Sequence, residues 1–393
     1  MTAARPAPRS DLRLRALAVA GAFMMNGASF GIWAARIPAV KEQTGLSTTG
    51  LGFALLGASI GAVLTMTFGG WLGNKFGTHV MTSLTAVGAA VMTVFIGASW
   101  DFASLTIALL IFGVLQGTMD VSMNANGIAV EQAGAGPIMS RLHASWSIGA
   151  FCGALASTQV AALGIAVLPE FAVAAAFLVI GGVILRFTMM PDKHTGGGGR
   201  LRLPTGPLAV IGALAMFGLM AEGSATDWSG LYLQTTMNAS PGLAGLAVTT
   251  FTGSMAVARL AGDRLSLRLG SARLVSGGAA LAAAGLALAL AVQIPAIAIV
   301  GFGMMGLGLA AVVPTLFRAA GSQPGIPASA GIAAVSTMGY AGGLIGPPLI
   351  GTVAGVATLR GSLVIILLML AILTIGGRLA LNRSASGPSR PSA

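Results

Sequence analysis

Apolar runs, each about as long as a membrane-crossing helix, recur along almost the whole chain. They fall near 14–35, 48–72, 79–99, 102–129, 138–163 and 167–189, then near 207–235, 242–262, 272–293, 295–318, 328–355 and 360–380. A spanning helix needs roughly 20 mostly apolar residues, so the pattern predicts twelve transmembrane helices. Six runs precede Pro191 and six follow Gly206. The stretch between holds Asp192, Lys193, His194, the glycines from Gly196 to Gly199, Arg200 and Arg202. It is polar, glycine-rich and too short for a domain, which predicts a flexible cytoplasmic linker over 191–206. The expected organisation is an N-terminal six-helix bundle over 1–190, the linker, and a C-terminal six-helix bundle over 207–393. Arg5, Arg9, Arg13 and Arg15 precede the first run as they would in a signal peptide. That run is long enough to span and no small-residue cleavage pattern follows it, so it is read as the first helix.

Composition agrees with the pattern. Of 393 residues, 55% are hydrophobic and 8% charged, against roughly 25% charged in a soluble domain. The 58 glycines fit closely approaching membrane helices. The formal net charge of +11 raises nucleic acid as a partner. The placement of the bases answers it. With a cytoplasmic N-terminus, 18 Lys and Arg fall on inner segments, while the outer segments receive only Arg36, Lys41 and Arg360. That asymmetry predicts a multi-pass protein of the bacterial-type inner membrane with both termini cytoplasmic. The basic residues then hold the topology and meet anionic lipid heads, and no nucleic acid is needed. The single cysteine, Cys152, permits no internal disulfide and no cysteine metal cluster.

An internal repeat supports two matched halves. Gly70-Trp71-Leu72-Gly73-Asn74-Lys75-Phe76-Gly77 follows the second run. Arg259-Leu260-Ala261-Gly262-Asp263-Arg264-Leu265, then Arg268-Leu269-Gly270, follows the eighth. Ser147-Ile148-Gly149 with Gly153 in the fifth run is echoed by Thr337-Met338-Gly339 with Gly343 in the eleventh. Matched halves imply a pseudo-symmetric bundle with a central site between them. The two loops resemble the loop motif of the major facilitator superfamily, with Asn74 where the first copy would carry an acid. The resemblance covers essentially the whole chain. It implies an all-α membrane protein of twelve helices in two six-helix bundles, working as a secondary transporter.

Within that superfamily, several stretches resemble the fucose permease branch and the YbjJ-like inner-membrane proteins near it. They are Gly117-Thr118-Met119-Asp120-Val121-Ser122-Met123-Asn124, Arg141-Leu142-His143 to Ser147-Ile148-Gly149-Ala150, and Thr252-Gly253-Ser254-Met255 leading to Arg259. The sugar/proton symporters of the branch carry an Asp in helix one, four residues before a Pro. Here Ala34 stands at that spacing before Pro38.

Ionisable groups inside a membrane are costly, so each needs a reason. Asp120 lies 11 residues before Glu131, roughly 16 Å along a helix and so near the midplane. Gln116, Asp120 and Asn124 recur every four residues as one polar stripe that should face a cavity. Asp120 would bind the solute or take a proton, with Asn124 and Gln116 as hydrogen-bonding partners; the competing reading is a structural pair between helices. Glu222 has Thr226 and Ser229 on its side of the seventh helix. It forms the opposite wall of the cavity, or else pairs with Arg36 or caps local backbone. Asp227, with Trp228 and Tyr232 nearer the outer end, reads as aromatic-belt anchoring. His143, with Trp146 and Ser147 nearby, suits binding or proton relay, or else bonds backbone at the cytoplasmic mouth. Asn26 is a further candidate, or a bridge between helices. Arg36 reads as lying just outside helix one and snorkelling, and Arg259 as snorkelling or meeting the Asp263 region.

Lys75, Glu131, Arg141, Asp263 and Arg264 lie at the cytoplasmic face and form the expected gating set, pairing between halves in one state. The chain carries no phosphate-binding loop, nucleophile elbow or clustered histidines, so no enzyme, metal or cofactor is expected. The expected function is secondary active transport of a small polar solute, sugar-like or an organic metabolite, by alternating access in a monomer. Coupling to protons through Asp120 is open. The alternative is an exporter of amphipathic or toxic compounds by proton antiport.

Overall fold

In the hydrocarbon layer every backbone N–H and C=O must find a partner within the protein, and a helix satisfies its own. The computed structural model follows that rule. It describes residues 9–192, 204–323 and 326–385, without the side chains of Arg9, Met66, Thr67, Gly262, Asp263, Arg264, Leu267, Ser329 and residues 382–385. In chain order the helices are α1 (Arg9–Gln43), α2 (Thr48–Phe76), α3 (Thr78–Gly97), α4 (Phe102–Val130), α5 (Met139–Ala162) and α6 (Val167–Thr188). Then come α7 (Pro207–Met237), α8 (Pro241–Leu269), α9 (Ser271–Ala291), α10 (Pro295–Leu309), α11 (Val312–Gly321), α12 (Ala328–Val356) and α13 (Leu359–Ala385).

Among the described residues, ten helices are long and apolar enough to cross a membrane. One of them, Pro295–Gly321, is α10 and α11 taken together. The tenth apolar run is interrupted there because Pro314 has no N–H to offer the Ala310 carbonyl. Helices α5 and α12, with 24 and 29 residues, have the length of a span and are not among the ten. Helix α1 is longer at both ends than the run 14–35 suggests, and it takes in Arg36.

The described residues divide into two compact units. One holds those up to Leu46 and from Ala54 to Asp192; the other holds Ser47–Phe53 and those from Pro204 onward. In the first unit, α1 and α5 meet through glycines on both sides. A Cβ added to Gly27 would lie 2.1 Å from the Trp146 carbonyl oxygen, and one on Gly149 would lie 2.0 Å from that of Met24. Gly31 and Gly153 repeat the arrangement one turn along. Only hydrogen fits at such contacts, which is how membrane helices gain close packing without a hydrophobic driving force.

In the second unit, Gly285 of α9 and Gly301 of α10 face each other in the same way, each Cβ position 2.4 Å from the other's carbonyl oxygen. The second unit also buries Trp228 and Tyr232 completely. The Tyr232 hydroxyl donates to the Ala289 carbonyl at 3.2 Å, and its ring meets Phe302 edge-on. These aromatics are core, which overturns their reading as an interfacial belt: both side chains are enclosed by protein, and the Tyr232 hydroxyl finds its partner there.

The repeated loop motif has a backbone counterpart. Gly77, before α3, has φ 92° and ψ 140°; Gly270, before α9, has φ 74° and ψ 158°. Both are left-handed, the region that glycine enters without penalty, so the motif ends in glycine because the turn between consecutive helices requires it. Outside the spans, Asp101 caps α4, accepting from the Ser104 N–H at 2.8 Å. Hydrogen bonds from Ser104, the hydroxyl first and the N–H second, hold the Asp101 carboxyl below its ordinary range.

Candidate functional site

Helix α4 carries the acid that the pattern singled out. Asp120 is exposed, and its recorded partner is Asn124, whose amide donates to the Asp120 carbonyl at 2.8 Å and carboxylate at 3.1 Å. Among the described residues no cation pairs with it. The three recorded ion pairs are Arg15–Asp11, Arg36–Glu170 and Arg259–Glu222.

Gln116 departs from the expected stripe and turns to α1. Asn26 donates to the Gln116 side-chain oxygen at 3.1 Å, and Gln116 donates back to the Asn26 carbonyl at 3.2 Å. The Trp146 indole donates to the Asn26 side-chain oxygen at 2.8 Å. Asn26, Gln116 and Trp146 therefore join α1, α4 and α5 in one network, with Phe30 against the Trp146 ring at 5.8 Å. One turn before Trp146, His143 is exposed and meets Phe23 edge-on at 5.3 Å.

Two arginines are placed otherwise than the sequence suggested. Arg36 is not outside helix one. It is buried within α1, 3.1 Å from Glu170 of α6, and it donates to the Ile165 carbonyl at 2.6 Å. Snorkelling is unnecessary because a carboxylate is within reach. Glu170, which also accepts from the Ser157 hydroxyl, escaped the sequence reading. The available signal was an acid at the head of an apolar run, on the same expected side as Arg36. Glu222 accordingly does not pair with Arg36. It lies 3.6 Å from Arg259 of α8, both side chains largely buried, so Arg259 has a carboxylate within reach that the sequence did not suggest; the Asp263 side chain lies outside the described residues. Thr226 donates back to the carbonyls of Glu222 and Gly223 in its own helix. Ser229 is fully buried.

At the expected cytoplasmic ends, Glu131 accepts from the N–H groups of Ile138 and Met139, satisfying donors that open α5. Arg141 donates to the Pro137 carbonyl at 3.1 Å. The Lys75 ammonium stands 4.9 Å from the Trp71 ring centre and 5.2 Å from that of Phe76. The side chains of Asp263 and Arg264 lie outside the described residues. A cavity of about 760 Å³ in the first unit opens between the start of α1 and that of α5, with Arg13, Ala16, Ala20, Ile138, Arg141 and Ser145 in its lining.

The expected linker also begins in ordered structure. Asp192 accepts from Asn126 at 2.8 Å and from the Thr78 hydroxyl, and its carbonyl accepts the Thr78 N–H. Asn126, wholly buried, further donates to Thr78 and to the Met190 carbonyl. Residues 193–203 of the expected linker lie outside the described residues. No group of three or more metal-binding side chains occurs among the described residues.

Two units of long apolar helices, with polar side chains kept inside the spans, define a polytopic all-α membrane protein of the transporter type. The chain is 32% identical over 354 residues to an uncharacterised MFS-type transporter of Yersinia pestis, covering 89% of this chain and 92% of that one. It is 32% identical to an uncharacterised transporter of Sinorhizobium fredii, covering 91% and 96%. The membrane protein MosC of Rhizobium meliloti is 29% identical, covering 96% and 93%. The chain belongs to the major facilitator superfamily of transporters. No protein-family model matches it. Its fold is similar to a bacterial homologue of the human lysosomal transporter Spinster, solved inward-facing and occupied, with TM-score 0.77, 14% identity and coverage of 96% and 98%. A variant of the nucleoside transporter NupG gives TM-score 0.75 at 11% identity, covering 93% and 99%.

Proposed function

We propose that this protein is a secondary active transporter of a small polar solute, in the fucose permease-like part of the superfamily. It works by alternating access through twelve spans, with both termini in the cytoplasm of a bacterial-type cell. The observation that carries the reading is Asp120. It is an acid inside a membrane span, exposed, bonded to Asn124 and without a cation partner among the described residues. A carboxylate turned to hydrocarbon costs several kcal/mol, so its exposed face meets water or a solute. Asn124 orients it, and Asn26 and Trp146 fix the neighbouring helices around it.

The test is thermal unfolding of the purified protein against a panel of sugars and organic metabolites at two pH values. A ligand at 100 times its Kd stabilises by about 2.7 kcal/mol. The expected result is a shift for a narrow chemical group of compounds, lost in Asp120→Asn. An undiminished shift in that variant for every stabilising compound removes Asp120 from the site.

A further inference from the structure

Acids within the chain's apolar helices differ in whether an arginine meets them. In the first unit, Glu170 has Arg36 and Asp120 stands apart; in the second, Glu222 has Arg259 and Asp227 stands apart. Asp227 is half-buried, and no hydrogen bond or ion pair is recorded for it among the described residues. It lies five residues beyond Glu222, the central residue of α7, so only about 7 Å from the middle of the helix and within the hydrocarbon layer. Five residues also turn it roughly 140° around the axis. It therefore looks away from the side on which Arg259 neutralises Glu222.

The face it does share belongs to Gly223, one turn earlier. A Cβ added at Gly223 would meet nothing within 4 Å. Gln234, half-buried, continues the same face two turns on. Trp228 and Tyr232, the neighbours that suggested interfacial anchoring, point into the core instead. A charged carboxylate facing hydrocarbon would be costly, which favours water or a solute in the open space beside it.

We propose that Asp227 is a further solute-contacting residue of the transporter and that it takes a positively charged group, so the solute is an amine-bearing polar compound. The proposal rests on the transport reading above. Arg36 and Arg259 are both engaged by carboxylates, which disfavours a carboxylate or phosphate solute at this depth.

The test reads local charge directly and needs no transport. In a Cys152→Ala background, Gly223→Cys is labelled with a cationic and an anionic methanethiosulfonate of similar size, with Asp227 or with Asp227→Asn. A negative potential raises local cation concentration by tenfold or more. The expected result is labelling by both reagents, with the cationic one favoured about tenfold and that preference lost in Asp227→Asn. No labelling by either reagent, or a preference that Asp227→Asn leaves unchanged, overturns the proposal. A thermal panel of glucosamine, glucose and glucuronate fixes the solute class. Stabilisation by glucuronate, or equal stabilisation of Asp227→Asn by glucosamine, overturns the cationic assignment. Charge-selective labelling in a protein that moves no solute would count against the transport reading alone.

Discussion

Arg36 and Glu170 show what a single buried pair does for such a protein. Both side chains are almost fully enclosed. Removing one partner of a buried pair leaves an uncompensated charge and costs about 3–5 kcal/mol, whereas replacing both by apolar groups is often neutral. Arg36→Met is therefore expected to lower the unfolding free energy in detergent by about 3 kcal/mol or more, and the added change Glu170→Leu to restore most of it. A double change no better than the single one would show that Arg36 acts through the Ile165 carbonyl instead. Asp120 was legible in the sequence because an acid in an apolar run stands out by itself. The pairing of Arg36 with Glu170 was not, because the two lie on helices far apart in the chain and nothing local links them. The same holds for Glu222, whose choice between two arginines is made by packing. Asp227 misled because Trp and Tyr beside an acid look alike at a lipid interface and in a core.

At the scale of helices, the spacing of small residues matters more than their number. Gly21 and Gly149 are both helical glycines of the first unit. A Cβ at Gly21 meets nothing closer than 4.0 Å, while one at Gly149 falls 2.0 Å from a backbone oxygen. Gly21→Ala should leave thermal stability unchanged or raise it slightly, since alanine is favoured over glycine by about 1 kcal/mol in a helix. Gly149→Ala forces α5 away from α1 and should lower the midpoint by several degrees in the same detergent; equal behaviour of the two variants would dismiss the close contact. The helices themselves were readable from apolar run length. Their ends were less so. The break between α10 and α11, and the extension of α1 through Arg36, depend on a single proline and on a partner carboxylate. The cap that Glu131 places on α5 was invisible because its acceptor role depends on the π-helical turn before it.

For the whole chain, the distribution of Lys and Arg makes the firmest demand. Counted for the proposed orientation, eighteen on one side against three on the other is the basis for proposing a cytoplasmic C-terminus. A fluorescent protein fused there should be bright and a periplasm-dependent phosphatase inactive; the reverse pattern would invert the topology. The doubled architecture was legible in the two loop motifs, and Gly77 and Gly270 give its physical basis in a shared backbone turn.

The seam between α1 and α5 has a corollary for bioenergetics. Where carbonyl oxygens sit against Cα atoms with nothing wider than hydrogen between them, no file of water can thread the gap. The pair is thus an insulator as much as a joint, and a bulky residue at Gly149 would open a route for ions to slip through and run down the membrane potential.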